Sequence, residues 1–428
     1  MNKHIFIIEG IINTIAKGAR RCACTLSFFC LSAITHAQQH EIISMSIAAL
    51  QVTAGKDWLM PPITTLGGEP ICISFDDLTH DYHRYTYRIE HCEADWTTSN
   101  GLFTSDFCEG FSEGNPIDDI TESINTNTLY THYSLQIPNE RCRLKMSGNY
   151  RLTITDENDG DEPVLSVCFM VVEPMMSVTL GMTTNTDLDN NGRHQQLSMD
   201  VRYRNINVTS PDTQIKTVVM QNGRWDNAVV NARPQYVMHD GLRWDHCRDF
   251  IFNGGNEYRK FEILDVDHTT LGLESIIWDG ADYHAYVWTD EPRLSYIYDE
   301  DANGAFYIRN SDNIGNDNTS DYVITHFRLK SPLLDGDVFI NGAWTYDTFE
   351  PCYRMEYDEE EQLYKGSLRL KQGYYSYQYL HLAEDGTTHP VPSEGNFFQT
   401  ENQYQALVYY RGLGDRTDRL VGFAQIRR

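Results

Sequence analysis

An all-β fold, built from tandem immunoglobulin-like or early-set β-sandwich domains after a cleaved signal peptide, is what this 428-residue sequence predicts. Short alternating runs rich in Val, Ile, Thr, Tyr and Phe recur along it, separated by clusters of Gly, Asn, Asp and Pro. No stretch of any length carries helical periodicity, and the 26 tyrosines suit half-buried pleated surfaces.

The leader comes first. Lys17, Arg20 and Arg21 precede an apolar run from Cys22 to Ile34, followed by Thr35-His36-Ala37 and then Gln38. A basic flank, an apolar segment too short to span a bilayer and small residues before a break describe a signal peptide over residues 1–37. The contexts of Cys22, Cys24 and Cys30 do not resemble a lipobox, so no direct lipid anchor is expected. No later run reaches membrane-spanning length.

Strands are expected at Ile71 to Phe75, Tyr85 to Ile89, Tyr150 to Thr155, Val167 to Val172, Tyr322 to Leu329, Val338 to Ile340 and Tyr375 to Tyr379. Glu173-Pro174 marks an exit from a first domain, because a residue before proline is pushed out of regular pairing. The polar stretch Asn310 to Ser320 has almost nothing to bury and reads as a linker. The expected domains are therefore 38–174, a first β-sandwich; 175–318, a second β-rich domain; and 319–428, an early-set-like sandwich.

Charge narrows the partners. The leader carries a net +3, so its removal takes the formal charge from −27 to −30. Such a surface repels nucleic acid and anionic lipid. Seven cysteines remain (Cys72, Cys92, Cys108, Cys142, Cys168, Cys247 and Cys352), an odd number, so at least one thiol is left over. One or two bridges are possible among the four between positions 92 and 168, with the pairing open. The absence of C-x-x-C removes zinc-ribbon and thioredoxin-like readings.

The densest set of potential ligands is Tyr87 to Trp96, YRIEHCEADW, with His91, Cys92, Glu90, Glu93 and Asp95. Strand alternation sends Tyr85, Tyr87, Ile89 and His91 to one face and Thr86, Arg88, Glu90 and Cys92 to the other. His91 and Cys92 then neither share a metal nor act as base and nucleophile. What remains is a strand with Trp96 anchoring its exit in the first sandwich. Asp187 to Gly192 and Asp299 to Gly304 imitate the first six positions of a calcium loop. Both lack the twelfth-position Glu, having Ser198 and Asn310 there, and such clusters also make ordinary turns. G-x-S-x-G, H-E-x-x-H and P-loop signatures are missing. No catalytic, cofactor-binding or metal site is assigned. The segment Val338 to Trp344, Met355 and Leu368 to Tyr379 looks like the early-set sandwich of glycogen-binding modules. This makes a glycan-binding periplasmic or surface protein, with Trp344 as a stacking platform, the alternative function. Tyr375, Tyr377 and Tyr379 alternate as core residues do.

The order of several segments carries a family resemblance. Tyr85-Thr86-Tyr87, His91-Cys92, Ala94-Asp95-Trp96, Gly110-Phe111, Tyr130-Thr131-His132-Tyr133, Pro138-Asn139-Glu140 and Ser147-Gly148-Asn149-Tyr150 come first. Asn222 to Asn227, Gly254 to Arg259, Leu370 to Tyr374 and Val408 to Arg411 follow. Together, from about Ile43 to Gly422, they resemble the Plug protein family of the type IX secretion system of Bacteroidota, with Tyr258 standing where Phe is frequent. The resemblance implies a non-enzymatic periplasmic protein, associated with the outer membrane through its partner. That partner would be the outer-membrane translocon β-barrel, whose periplasmic opening it seals when no substrate is loaded. No cofactor follows from the resemblance, and the partner-binding residues are unknown.

Overall fold

The computed structural model describes residues 40–204 and 206–427. The expected leader, 1–37, lies outside the described residues. All seven expected runs form strands, and strand makes up 47% of the structure against 8% helix. No helix among the described residues is long and apolar enough to cross a membrane.

The first sandwich packs two antiparallel-rich sheets face to face. One runs Glu41–Ile42, Glu162–Val172, Gly148–Asp156, Tyr85–Cys92, Asn115–Pro116; the other runs Ile47–Ala54, Ile71–Asp77, Thr131–Ile137, Asp119–Glu122. Alternation sends Ile71, Ile73, Phe75, Tyr133 and Leu135 inward to meet Tyr85, Tyr87, Ile89, Tyr150 and Leu152. Phe75 stacks on Tyr133 at 5.3 Å and meets the edge of Tyr85 at 5.5 Å, geometries that favour aromatic pairs beyond the area they bury.

The chain leaves this sandwich at Val172 and enters a second at Ser177–Thr183. One sheet of the second is local, with Ser177–Thr183, His194–Arg202, Gly241–Trp244 and Tyr236–Met238. The other is not: Ile215–Gln221 pairs with Gln403–Tyr410, which pairs with Arg419–Arg427. Between these halves, strands from Arg259–Ile263 to Thr388–Pro390 form a third sandwich from one ten-stranded sheet. That sheet curls onto itself, since Phe261 near one end meets Phe327 near the other at 5.5 Å. The division expected between residues 318 and 319 is therefore corrected. The third sandwich is inserted within the second, and the last two strands return to the second. Strand patterning reveals each strand but not its partner, which explains the error.

The expected linker 310–320 also does more than connect. Asn310 Oδ1 accepts from the Asp312 and Asn313 amides, and its Nδ2 donates to Thr319 and Ser320, so the polar residues satisfy their own turn. The turn then clasps the first sandwich: the Ile124 amide donates to the Asn318 carbonyl at 2.8 Å, and Tyr130 Oη to the Ser320 carbonyl at 2.7 Å.

Beneath the clasp sits a buried polar knot. Asp76, on a first-sandwich strand, accepts from Lys371 Nζ at 2.6 Å and Tyr322 Oη at 2.6 Å, both from the third sandwich, and meets His132 Nδ1 at 2.6 Å. Lys371 Nζ lies 4.1 Å from the centre of the Tyr130 ring. Burial pulls the Lys371 ammonium below its ordinary pKa, and the Asp76 carboxylate opposes that pull.

The other two junctions differ in kind. The outer face of the first sandwich (Ile63, Cys92, Met170, Val172) packs on Val218, Met220, Leu407 and Leu420 of the second, an apolar seam sealed by Trp96 edge-on to Trp225 at 5.7 Å. Between second and third, half-buried Asp347 faces Arg224 and Asp226, while Thr388 Oγ1 donates to Asp226 at 2.6 Å. Burial first, and the Asp226 charge second, push Asp347 up to about 6, against Arg224 and the Asn341 hydrogen bond. Burial also raises Asp301 to about 6.

Two outcomes follow from these junctions. Lys371→Ala leaves the Asp76 carboxylate buried without its cation and costs about 3 kcal/mol in urea unfolding, the low end for a broken buried pair because His132 and Tyr322 remain. A loss under about 1 kcal/mol would show the knot to be dispensable. Asp347 and Asp301 bind their protons more tightly folded than unfolded, where carboxylates titrate near ~4. Between about 4 and about 6 the folded state thus holds more protons, and stability falls as pH rises through that window. Asp347→Asn keeps an acceptor for Asn341, flattens that fall, and stabilises more at pH ~8 than at pH ~5 by about 1 kcal/mol. An equal effect at both pH values contradicts the assignment.

Candidate interaction loop and its anchorage

The surface feature most unlike an ordinary loop lies between the strands Tyr283–Val287 and Phe306–Ile308. Its root is set by Asp290, which continues the sheet: its amide donates to the Arg328 carbonyl at 2.8 Å, and its carbonyl accepts from the Lys330 amide at 3.0 Å. The buried Asp290 carboxylate accepts from Arg259 Nη1 at 2.8 Å, Tyr377 Oη at 2.9 Å and Tyr379 Oη at 2.7 Å. Arg259 Nε donates to Glu394 at 2.9 Å, and Arg293 donates to the same Glu394. Two carboxylates and two guanidiniums thus neutralise one another through charge-assisted hydrogen bonds, the condition under which buried charge is tolerated, although Arg293 Nε is left without a partner among the described residues. Burial works against the Arg259 charge, and Glu394 and Asp290 overcome it, keeping the guanidinium charged.

The far side of the loop is tied as well. Tyr296 Oη donates to Glu257 at 2.6 Å, Lys260 pairs with Asp299 at 2.7 Å, and Asp301 accepts from the Tyr258 and Asn303 amides. Between these ties Leu294 is 91% exposed and Ile297 75% exposed, with Trp288 and Tyr298 also outside. Apolar side chains held outward on an anchored backbone lose little conformational entropy on binding, which suits a docking element. Acidic groups rim the set: Glu401, before burial and Glu300, pushes the Tyr298 phenol upward. Trp288 donates its amide to the Gly272 carbonyl at 3.0 Å, bringing it to the edge strand Leu273–Trp278, whose Ile277 and Trp278 are exposed.

The residues singled out from sequence take other roles. His91 and Cys92 do point to opposite faces: His91 packs edge-on to Tyr150 at 5.1 Å in the first core, and Cys92 enters the seam toward the second sandwich. His91 Nε2 faces the Ser147 carbonyl at 3.2 Å and so carries the hydrogen, while Nδ1 accepts from Ser99 Oγ at 2.9 Å. Burial lowers its pKa, consistent with a neutral ring. Gly148, at φ +150, is required beside it, because a Cβ would stand 2.2 Å from Nε2. Trp96 anchors the seam between sandwiches rather than the interior of the first.

In the first calcium-like turn, Asp187 accepts from Gln196 and pairs with His246 at 2.9 Å, and Asp189 pairs with His194 at 2.7 Å. In the second, Asp299 and Asp301 serve the loop anchorage described above. Among the described residues no group of three or more His, Cys, Asp or Glu side chains converges as a metal site. Trp344 is buried, donates Nε1 to the Ser376 carbonyl at 2.9 Å and stacks on Phe327. Tyr375, Tyr377 and Tyr379 are buried too, so none of the four rings offers a face to a sugar. The loop itself escaped sequence reading because Asp299 to Gly304 drew attention as a turn. Its signal was Leu294, Ile297 and Tyr298 in a Pro292-led segment without strand alternation.

Comparison with known proteins agrees with the architecture. Residues 47–173 match the family model described as type 9 secretion system plug protein 1st domain. A crystal structure of a hypothetical protein from Parabacteroides merdae ATCC 43184 aligns with a TM-score of 0.88 at 37% identity, covering 92% of this chain and 100% of that one. A partial N-terminal region of an enterococcal surface protein aligns at 7% identity over 91% of this chain and 95% of that one, with a TM-score of 0.17 that carries no argument. A search of curated proteins returned no match. The chain belongs to the type IX secretion system plug protein family, and is thereby a component associated with that secretion machinery.

Proposed function

We propose that this protein is a non-enzymatic periplasmic plug subunit that binds the periplasmic opening of the outer-membrane type IX translocon and seals it when no substrate is loaded. Membership of the plug family is the observation that carries this reading. The physical build supports it. A stopper must resist deformation, and three sandwiches joined by an apolar seam, a buried charged knot and an inserted topology share one connected framework. A stopper must also leave: to pass from nearly always bound to nearly always released, its affinity for the loaded translocon must be about 10⁴-fold weaker.

The anchored loop with Leu294, Ile297 and Tyr298 is the contact element we assign to the translocon. The glycan-binding alternative has lost its platform, since Trp344 and the three tyrosines are core residues.

Affinity isolation of the tagged protein from its native envelope tests the function. Enrichment of the substrate-free translocon is expected, and enrichment of the substrate-loaded complex instead would sink the gating idea. Leu294→Ser with Ile297→Ser removes exposed groups only, so unfolding shifts by no more than about 0.5 kcal/mol per site while co-isolation falls at least about tenfold. Unchanged co-isolation with intact stability would move the contact elsewhere.

A further inference from the structure

Cys108 follows a one-turn helix, Thr104–Phe107, and opens the strand Cys108–Gly110, which pairs antiparallel with Cys142–Leu144. In this register Cys142 stands opposite Gly110 and Cys108 opposite Leu144, which puts both cysteines on one face, a diagonal step apart. Gly110 intervenes without a side chain; at φ +102, a Cβ would lie 2.1 Å from the Arg141 carbonyl oxygen. The two Sγ atoms are 3.0 Å apart. Both side chains are buried, Cys108 at 2% and Cys142 at 0% exposure.

We propose that Cys108 and Cys142 are a disulfide-forming pair, closed by thiol–disulfide exchange with a disulfide oxidant. A disulfide needs an S–S separation of about 2.05 Å, so the sulfurs have roughly 1 Å to travel. Cys92 and Cys168 lie on strands separated by Gly148–Asp156, about 10 Å apart across two strand spacings and beyond the reach of a bridge. Cys247 belongs to the second core and Cys352 is exposed on the third sandwich.

Access sets the order of events. A surface cavity of about 560 Å³, lined by Thr104, Ser105, Cys108, Glu109, Gly110 and Lys145, reaches Cys108 and not Cys142. The Cys108 thiolate attacks one sulfur of the oxidant, forming a mixed disulfide and releasing one oxidant thiolate. The Cys142 sulfur then attacks Cys108 Sγ, which breaks the mixed bond and releases the second thiolate. The two cysteine protons end on the two released thiols; the cysteines lose two electrons and the oxidant gains them. Burial raises the Cys142 thiol pKa, in keeping with its acting second.

The bridge would close the segment 108–142 at its base. That segment carries the amides of Asn127 and Thr128, which donate to Asp321 of the third sandwich at 2.6 and 3.0 Å, so the cross-link would brace one half of the inter-sandwich clasp.

The experiment equilibrates the purified full-length chain in glutathione buffers from reducing to oxidising, quenches with acid, alkylates, digests without reduction and maps peptides by mass. A linked peptide joining Cys108 to Cys142, two hydrogens lighter than the thiol pair and lost on reduction, is the expected result. Cys142→Ser accumulates a glutathione adduct on Cys108, whereas Cys108→Ser leaves Cys142 unmodified. Full alkylation of both cysteines in the wild-type chain at the most oxidising ratio, or a link from either to a different cysteine, overturns the pairing. The wild-type result stands whether or not the variants fold, and it is independent of what the protein plugs.

Discussion

The Asp76 carboxylate is the constraint on which the joining of the first and third sandwiches turns. It lies out of water, and what compensates its charge comes largely from another sandwich: Lys371 and Tyr322 from the third, with His132 from its own. Apolar surface tolerates sliding, because burial is non-directional. A buried ion pair does not, since a small displacement leaves charge unpaired in a low-dielectric interior. The clasp at 310–320 and the Tyr130 ring close water out of the same spot, so the knot and its cover depend on each other.

The three junctions divide the labour by chemistry. The seam between first and second sandwiches is apolar and broad, and supplies the hydrophobic drive for association. The knot supplies orientation. The Arg224, Asp226 and Asp347 set couples the second and third sandwiches to proton concentration, because Asp347 is kept near the point of losing its proton. On this framework the root of the Leu294 loop is held by Asp290, Arg259, Glu394, Arg293 and the Tyr377 and Tyr379 hydroxyls, and its far side by Glu257, Lys260 and Asp301. An exposed apolar set on an anchored base is the arrangement a contact element requires.

Much of the fold was legible in the sequence because a strand with one buried face announces itself by alternation. Tyr85, Tyr87, Ile89 and His91 turn inward as the period of two requires, and that same period correctly separated His91 from Cys92. Pairing between distant strands leaves no such mark. Ile215–Gln221 carries nothing that names Gln403–Tyr410 as its neighbour, so the inserted topology was hidden. The 310–320 segment misled for a related reason: asparagine and aspartate satisfy a turn's backbone whether it floats in solvent or docks on a neighbour. The Leu294 loop was obscured because exposure is a property of the whole surface, not of six residues.

The insertion has a consequence in time as well as in space. A chain that emerges N-terminus first completes the first sandwich at Val172 and the third by Pro390, while the second still lacks half of one sheet. Until Gln403–Tyr410 arrives, Ile215–Gln221 has one open edge, and the apolar seam of the first sandwich has lost Leu407 and Leu420 as partners. The second sandwich is the last to close, although it begins before the third. Its closing strands, Gln403–Tyr410 and Arg419–Arg427, complete the seam with the first sandwich after the third has its strands.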